Sequence, residues 1–236
     1  MEEFLTAHFW VAVGQIILID ILLGGDNAVV IALACRSLPE AMRTKGILWG
    51  TAGAIVLRVI LIAFALTLLS IPYLKLVGGV LLVWIGVKLL APEDEDEHSN
   101  IQASDKLWGA VKTVIVADLV MSIDNVIAIA GAAQGAGEAH QMPLVIFGLL
   151  VSIPIIVWGS QLVLKLMDRF PLIITLGGML LGWIAGTMIH TDPGLVDYIP
   201  QDKAWHYGLG IVGALLVLAI GKLIASKKTA DDTSAT

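Results

Sequence analysis

Polar residues are sparse along most of this chain. Seven apolar runs occupy roughly residues 9–34, 46–70, 72–91, 110–133, 142–167, 171–190 and 206–225, and most charged residues lie between them. At ~1.5 Å of rise per residue, each run is long enough for a helix to cross ~30 Å of hydrocarbon. Runs this long and uniformly apolar lack the alternation of a barrel strand, so helices are the expected spanning element. The pattern predicts an all-α membrane protein with seven transmembrane helices.

Two stretches break the apolar rule, and they match. Asp20-Ile-Leu-Leu-Gly-Gly-Asp26-Asn27 runs on into AVVIALA, and Asp118-Leu-Val-Met-Ser-Ile-Asp124-Asn125 runs on into VIAIAGA. Both read D-x5-D-N. One carboxylate at a helix centre costs ~2.5–3.5 kcal/mol on the mildest insertion scales. Four of them with two carboxamides, at matched positions, point to one site that binds a cation. The competing reading is interhelical hydrogen bonding that fixes packing.

The duplication extends past these motifs. Gly78-Gly79-Val-Leu-Leu-Val-Trp84-Ile85 matches Gly177-Gly178-Met-Leu-Leu-Gly-Trp183-Ile184, with Pro72 ahead of the first and Pro171 ahead of the second. Spans 1–3 therefore repeat as spans 4–6, and span 7 is extra. A three-span unit crosses the membrane an odd number of times, so the second copy is inverted. Inverted repeats with polar segments at corresponding positions mark secondary transporters. Arg36, Arg43, Lys45, Lys88, Lys106, Lys112, Lys165, Arg169, Lys222, Lys227 and Lys228 fall on one side, against Lys75 and Lys203 on the other. The positive-inside rule then sets the N-terminus outside. The expected organisation is repeat 1 over residues 1–92, an acidic cytoplasmic linker over 93–107, repeat 2 over 108–191, and an outer loop, seventh helix and cytoplasmic tail over 192–236.

On a straight helix Asp20 and Asn27 fall within ~20° of each other, whereas Asp26 lies ~120° away from Asp20. Aiming all three at one point requires a break. Gly24-Gly25 is the expected place in the first copy. In the second, Ser122 would satisfy the backbone groups that a break frees. Asp20, Asp26, Asn27, Asp118, Asp124 and Asn125 are all oxygen-donor residues, a set that suits the hard divalent cations Mg²⁺, Ca²⁺ and Mn²⁺. Met121 is read as packing. Arg58 lies within span 2, where an unpaired charge is costly, so it is expected to pair with one of the aspartates. A role for Arg58 or protons in filling the carboxylates as the metal leaves would couple transport to protons.

Composition narrows the classes. The chain has 236 residues, 58% of them hydrophobic, and a mean hydropathy of +0.90, which excludes a soluble domain with a single core. No basic tract suggests nucleic acid, and one cysteine, Cys35, excludes an intrachain disulfide. MEEFLTAHFW lacks a basic n-region, so the first run is expected to stay as a span. No phosphate-binding loop argues for ATP-driven transport, and no enzymatic activity is expected. Glu93–Glu97 is read as a solvated linker. His8, His140, His190 and His206 fall near the outer side as scattered interfacial residues or an exit-side metal station. Trp84 and Trp183 are expected to pack the repeats together, and Gly50, Gly53, Gly78, Gly79, Gly177, Gly178, Gly182 and Gly186 to allow close helix packing.

LLGGDNAVVIALA, DLVMSIDNVIAIA and the GG-x-LL-x-WI segments resemble the TerC family of bacterial membrane proteins, over spans 1 to 6. That family is similar in architecture to LysE-type exporters. The resemblance implies a multi-pass protein of the bacterial inner membrane whose activity is manganese export. It also implies that Asp20, Asp26, Asp118 and Asp124, with Asn27 and Asn125, are the intramembrane site. No domain fused after span 7 is expected. The expected partners are a divalent cation as cargo and the lipid bilayer, with no permanently bound cofactor. A homo-oligomer or a protein partner is left open. Two rivals remain: an exporter of an organic cation or amino acid, and a membrane factor that supports metalation of secreted proteins.

Overall fold

The computed structural model describes residues 7–64, 67–68, 70–91, 103–134 and 141–234, with side chains apart from 7–10, 12–13, 16–17, 19–23, 103, 126–134, 141–145 and 228–234. Among the described residues seven long helices make up the fold and no strand occurs. They are α1 Ala7–Cys35, α2 Glu40–Ala63, α3 Leu74–Leu90, α4 Ala103–Gln134, α5 Gln141–Arg169, α6 Leu172–His190 and α7 Lys203–Ser234. The apolar runs account for their order and approximate extent. Four meet the length and apolarity needed to cross a membrane: Glu40–Ala63, Ile146–Arg169, Leu172–His190 and Lys203–Lys227. The second run ends early, at Ala63 rather than near residue 70. There the Phe64 N–H donates to Leu61 O, and the chain goes into turns ahead of Pro72, which disfavours helix in the residue before it.

The principal helix pairs are α1 with α5, α2 with α4, α3 with α6, α1 with α4 and α6 with α7. Leu33, Ile47, Leu82, Ile85, Met121, Leu181 and Ala185 are among the side chains of the shared core. Outward faces carry Val56, Val77, Trp158 and Leu172 well exposed. This arrangement suits a solvent of lipid tails, which gives apolar side chains no reason to hide.

Two ends of the bundle can be told apart by contacts. At one end, Arg43 Nη1 pairs with Asp168 Oδ2 at 2.7 Å, and Arg36 Nη2 donates to Leu89 O at 3.4 Å. Gly46 there lies against Cys35 and Leu107. The ends of α1, α3 and α5 and the starts of α2 and α4 therefore meet. At the other end, Asp192, just past α6, is fully buried against the start of α3. Its Oδ1 accepts from Tyr73 N–H (2.8 Å) and Gly194 N–H (2.7 Å), and its Oδ2 accepts from Leu76 N–H (2.9 Å). Asp192 thus caps α3 from another part of the chain, placing negative charge at the positive end of the helix dipole. Tyr73 holds a left-handed backbone (φ 64°) in this clamp, and its ring leaves no room for a side chain at Gly194.

All eight expected close-packing glycines meet a neighbouring helix. The closest approach is α6 on α7, where a Cβ on Gly182 would strike the Gly213 backbone and one on Gly186 the Leu209 backbone. Backbone cannot swing aside as a side chain can. Gly186→Val should therefore destabilise the protein toward the upper end of the ~1–3 kcal/mol typical of overpacking, or beyond it. Gly208→Ala, whose Cβ would meet nothing within 4 Å, should leave the thermal midpoint in detergent unchanged.

The tryptophans differ from expectation. Trp84 does not pack the two halves together. It is 57% exposed, with Lys88 Nζ 5.3 Å over its ring. Trp183 instead stacks on Tyr207 of α7, with ring centroids 6.1 Å apart. The matched position carries different contacts because α7 covers one copy of the GG-x-LL-x-WI segment and leaves this side of the other open.

Candidate cation-binding site

Neither polar helix breaks. α1 runs continuously through Gly24-Gly25 and α4 through Ser122, against the expectation of a break at Gly24, Gly25 or Ser122. The glycines serve another purpose. Gly24 and Gly25, with Ala28 of α1 and Ser152, Ile155, Ile156 and Gly159 of α5, line a largely apolar cavity. Ser122 donates from Oγ to Asp118 Oδ2 at 3.0 Å, one turn earlier on the same helix.

An unbroken helix separates the two aspartates of α4. Six residues turn the chain ~600°, ~120° short of two full turns, which leaves them ~120° apart around the axis and ~9 Å apart along it. Each consequently meets its own cation. Asp118 faces α2: Arg58 Nη2 pairs with Asp118 Oδ1 at 2.5 Å, and Arg58 Nε donates to Ser122 Oγ at 3.1 Å. Arg58, Asp118 and Ser122 are all buried, and the three are joined by hydrogen bonds. The pairing expected of Arg58 is present, and it is the form in which a buried guanidinium is tolerable. Asp124 faces α3: Lys75 Nζ lies 2.5 Å from Asp124 Oδ1 and donates to Thr191 Oγ1 at 3.1 Å. Asp124 Oδ1 accepts no hydrogen bond of normal geometry, so the ammonium acts on it as a point charge.

The two motifs meet at one place. Asn27 of the first and Asp118 of the second line a narrow crevice with Val30, Ile31, Val114 and Met121, without room for a water molecule. Asn27 is 3% exposed, and neither its Oδ1 nor its Nδ2 has a hydrogen-bond partner. Thr51 Oγ1, on the face of α2 that also carries Arg58, is likewise buried without one. Such groups cost free energy when left alone, and natural proteins keep few of them.

The remaining predicted positions are less engaged. Asp26 is half-buried on α1 and has no cationic partner among the described residues. Asn125 is half-buried on α4. The side chain of Asp20 lies outside the described residues, as do those of His8 and His140 and the whole of Glu93–Glu97. Met121 packs in the core while lining the crevice. His190 and His206 do come together, Nδ1 to Nδ1 at 3.3 Å, with His190 Nε2 at 3.0 Å from Pro200 O. Among the described residues no three His, Cys, Asp or Glu side chains converge as a ready-made metal cage.

Sequence reasoning missed three residues. The charge count sets Lys75 only as an outer-side charge, yet it is 8% exposed and reaches Asp124. The available signal was a lone lysine between two leucines inside an apolar run. Asp192 sits in a Thr-Asp-Pro-Gly turn that reads as surface, and Thr51 has no sequence mark at all.

Comparison with known proteins agrees with the helical, membrane-embedded reading. The family described as "Integral membrane protein TerC family" matches residues 5–229. The uncharacterized membrane protein YjbE of Bacillus subtilis (strain 168) is 44% identical over 183 residues, covering 78% of this chain and 81% of that protein. YkoY of the same organism is 25% identical over 242 residues, covering 92% and 74%. The inner membrane protein YgdQ of Escherichia coli (strain K12) is 23% identical over 178 residues, covering 69% and 73%. No solved structure gives a significant match. With a family match across nearly its whole length, the chain belongs to the TerC family of integral membrane proteins.

Proposed function

We propose that this protein is a secondary transporter of the bacterial inner membrane that exports a divalent metal cation, Mn²⁺ foremost. The carrying observation is the junction of the two motifs, where a buried, unpartnered Asn27 carboxamide lies against Asp118 in one crevice. Unused oxygen donors beside a carboxylate suit a cargo that visits and leaves. The crevice is closed to water in this conformation, so α1 and α4 must part to admit an ion. Asp26, Asp124 and Asn125 would join the path as they do, with Asp20 of the first motif.

The helix pairing supports two inverted three-helix repeats. Exchanging α1, α2 and α3 for α4, α5 and α6 turns the α1–α5 pair into the α4–α2 pair and returns α3–α6 to itself. The end of the bundle that gathers Arg36, Arg43 and Lys88 carries most of the Lys and Arg, which supports a cytoplasmic position for it and an outside N-terminus. Seven membrane crossings follow from that assignment. Export and manganese are what resemblance to the family's manganese exporters implies. Arg58, with Nη2 on Asp118 and Nε on Ser122, is placed to hold Asp118.

The test is Mn²⁺ flux in proteoliposomes, wild type beside Asp124→Asn, with Ca²⁺ and Mg²⁺ as competitors. Asp124→Asn removes the charge and nearly keeps the shape, so flux should fall by about tenfold or more. Undiminished flux in Asp124→Asn would remove Asp124 from the path. A folded wild type that carries no Mn²⁺ would reject the reading. The apolar cavity between α1 and α5 favours one alternative, an exporter of an organic cation or amino acid. That alternative predicts flux of such a solute that Mn²⁺ does not inhibit.

A further inference from the structure

The two ion pairs on α4 differ in a way that assigns them different duties. Arg58 and Asp118 are locked: the guanidinium uses two nitrogens, on Asp118 and on Ser122, and both partners of the pair are buried, with side chains 2% and 8% exposed. Lys75 and Asp124 are held loosely. The ammonium meets a single, buried oxygen at 2.5 Å, and the rest of the Asp124 side chain leaves it 38% exposed. Lys75 also has a second resting place. Thr191 donates its hydroxyl to Met188 O at 3.1 Å, which leaves its oxygen lone pairs to receive the ammonium.

We propose that Lys75 is a tethered stand-in for the cargo at Asp124 and that it sets the preference for divalent over monovalent cations. The inference rests on the cation-transport reading above. When no cargo is bound, the ammonium balances the Asp124 carboxylate. An arriving cation must displace it, and Lys75 then withdraws onto Thr191. A tethered group acts at a high effective concentration, from millimolar upward, because its release and return are intramolecular. K⁺ or Na⁺ brings one charge to replace one charge and must also shed water, so it gains nothing by displacing Lys75. A divalent ion brings twice the charge to the same carboxylate and reaches the oxygen donors nearby, so it can. Lysine suits this duty because its charge is compact and its stem flexible, whereas the forked arginine at Asp118 suits a fixed pair.

The experiment is an Mn²⁺ titration followed by the EPR signal of free Mn²⁺, on purified full-length protein in detergent, with and without about 0.15 M K⁺. Lys75→Met should bind Mn²⁺ about tenfold more tightly than wild type, and K⁺ should now compete with it. Lys75→Arg should bind more weakly than wild type. Equal Mn²⁺ affinity in wild type and Lys75→Met, with no effect of K⁺ on either, would overturn the Lys75 inference and leave the cation site standing. Absence of Mn²⁺ binding from both folded proteins would instead reject the transport reading itself. If Lys75→Met does not fold, reductive methylation of wild type decides the matter. Mass spectrometry should find Lys75 modified several-fold faster in saturating Mn²⁺, because the ammonium has left Asp124, and an unchanged rate would overturn the proposal.

Discussion

Arg58→Met should lower the stability of the folded protein by about 3–5 kcal/mol, and Asp118→Leu should cost a similar amount. Each substitution takes from a buried charge the partner it is paired with here, in a site where both are nearly inaccessible. The double variant Arg58→Met/Asp118→Leu should recover most of that loss. Two apolar side chains of similar volume remove both desolvation costs at once, and lipid-embedded surroundings favour the exchange further. Ser122, which now donates to Asp118 Oδ2, can fall back on a carbonyl one turn earlier, as Ser152 and Ser160 already do. Thermal unfolding of the four proteins in one detergent, analysed as a double-mutant cycle, checks this. Losses that simply add in the double variant would mean that the pair is not a coupled unit. The recovered double variant should still fail to carry cation, since the crevice would have lost its carboxylate.

Asp192→Ala should be the other severe substitution, at roughly 3–5 kcal/mol, although Asp192 is far from both D-x5-D-N motifs in sequence. The carboxylate accepts three backbone N–H groups, from Tyr73, Leu76 and Gly194, and alanine would strand all three. Asp192→Asn should cost less, because one oxygen remains to serve Tyr73 and Gly194. The amide nitrogen would then confront the Leu76 N–H, donor against donor. Hydrogen exchange should report the same event locally, with protection lost first at residues 73–76. If exchange there is unchanged while global stability falls, the cap is not the source of the loss. Because Thr191 and Lys75 flank this clamp, the position of the ammonium beside Asp124 depends on it.

Much of the fold could be read from the sequence because a bilayer restricts the choices so strongly. Long apolar runs must be helices, and the glycines at matched positions are contact points, as Gly78, Gly79, Gly177 and Gly178 are. The aspartate-asparagine motifs stood out because a charge inside such a run is too costly to be accidental. Their geometry was harder. The straight-helix calculation separated Asp118 and Asp124 by ~120°, and the expectation of a break followed from assuming that they converge on one point. They do not converge here. Each has its own cation, and the second of these, Lys75, was hidden because a single lysine near the end of an apolar run reads as a snorkelling charge. Asp192 was hidden for a different reason: two of its three partners are backbone amides more than a hundred residues away, and no side-chain pattern announces them. Trp84 misled because duplicated sequence was taken for duplicated surroundings, whereas α7 packs on the Trp183 copy.

The buried cations lie on α2 and α3, and their acids lie on α4. Synthesis runs in the opposite sense to that dependence, because α2 and α3 leave the ribosome before α4 exists. An arginine well inside a helix, as Arg58 is, costs up to ~2.5–3.5 kcal/mol to insert alone, and a lysine near a helix end, as Lys75 is, costs less. Helices entering lipid one at a time would meet that cost without relief. The pairing therefore predicts joint integration, with α2 and α3 waiting for α4 so that Arg58 and Lys75 enter lipid balanced by Asp118 and Asp124.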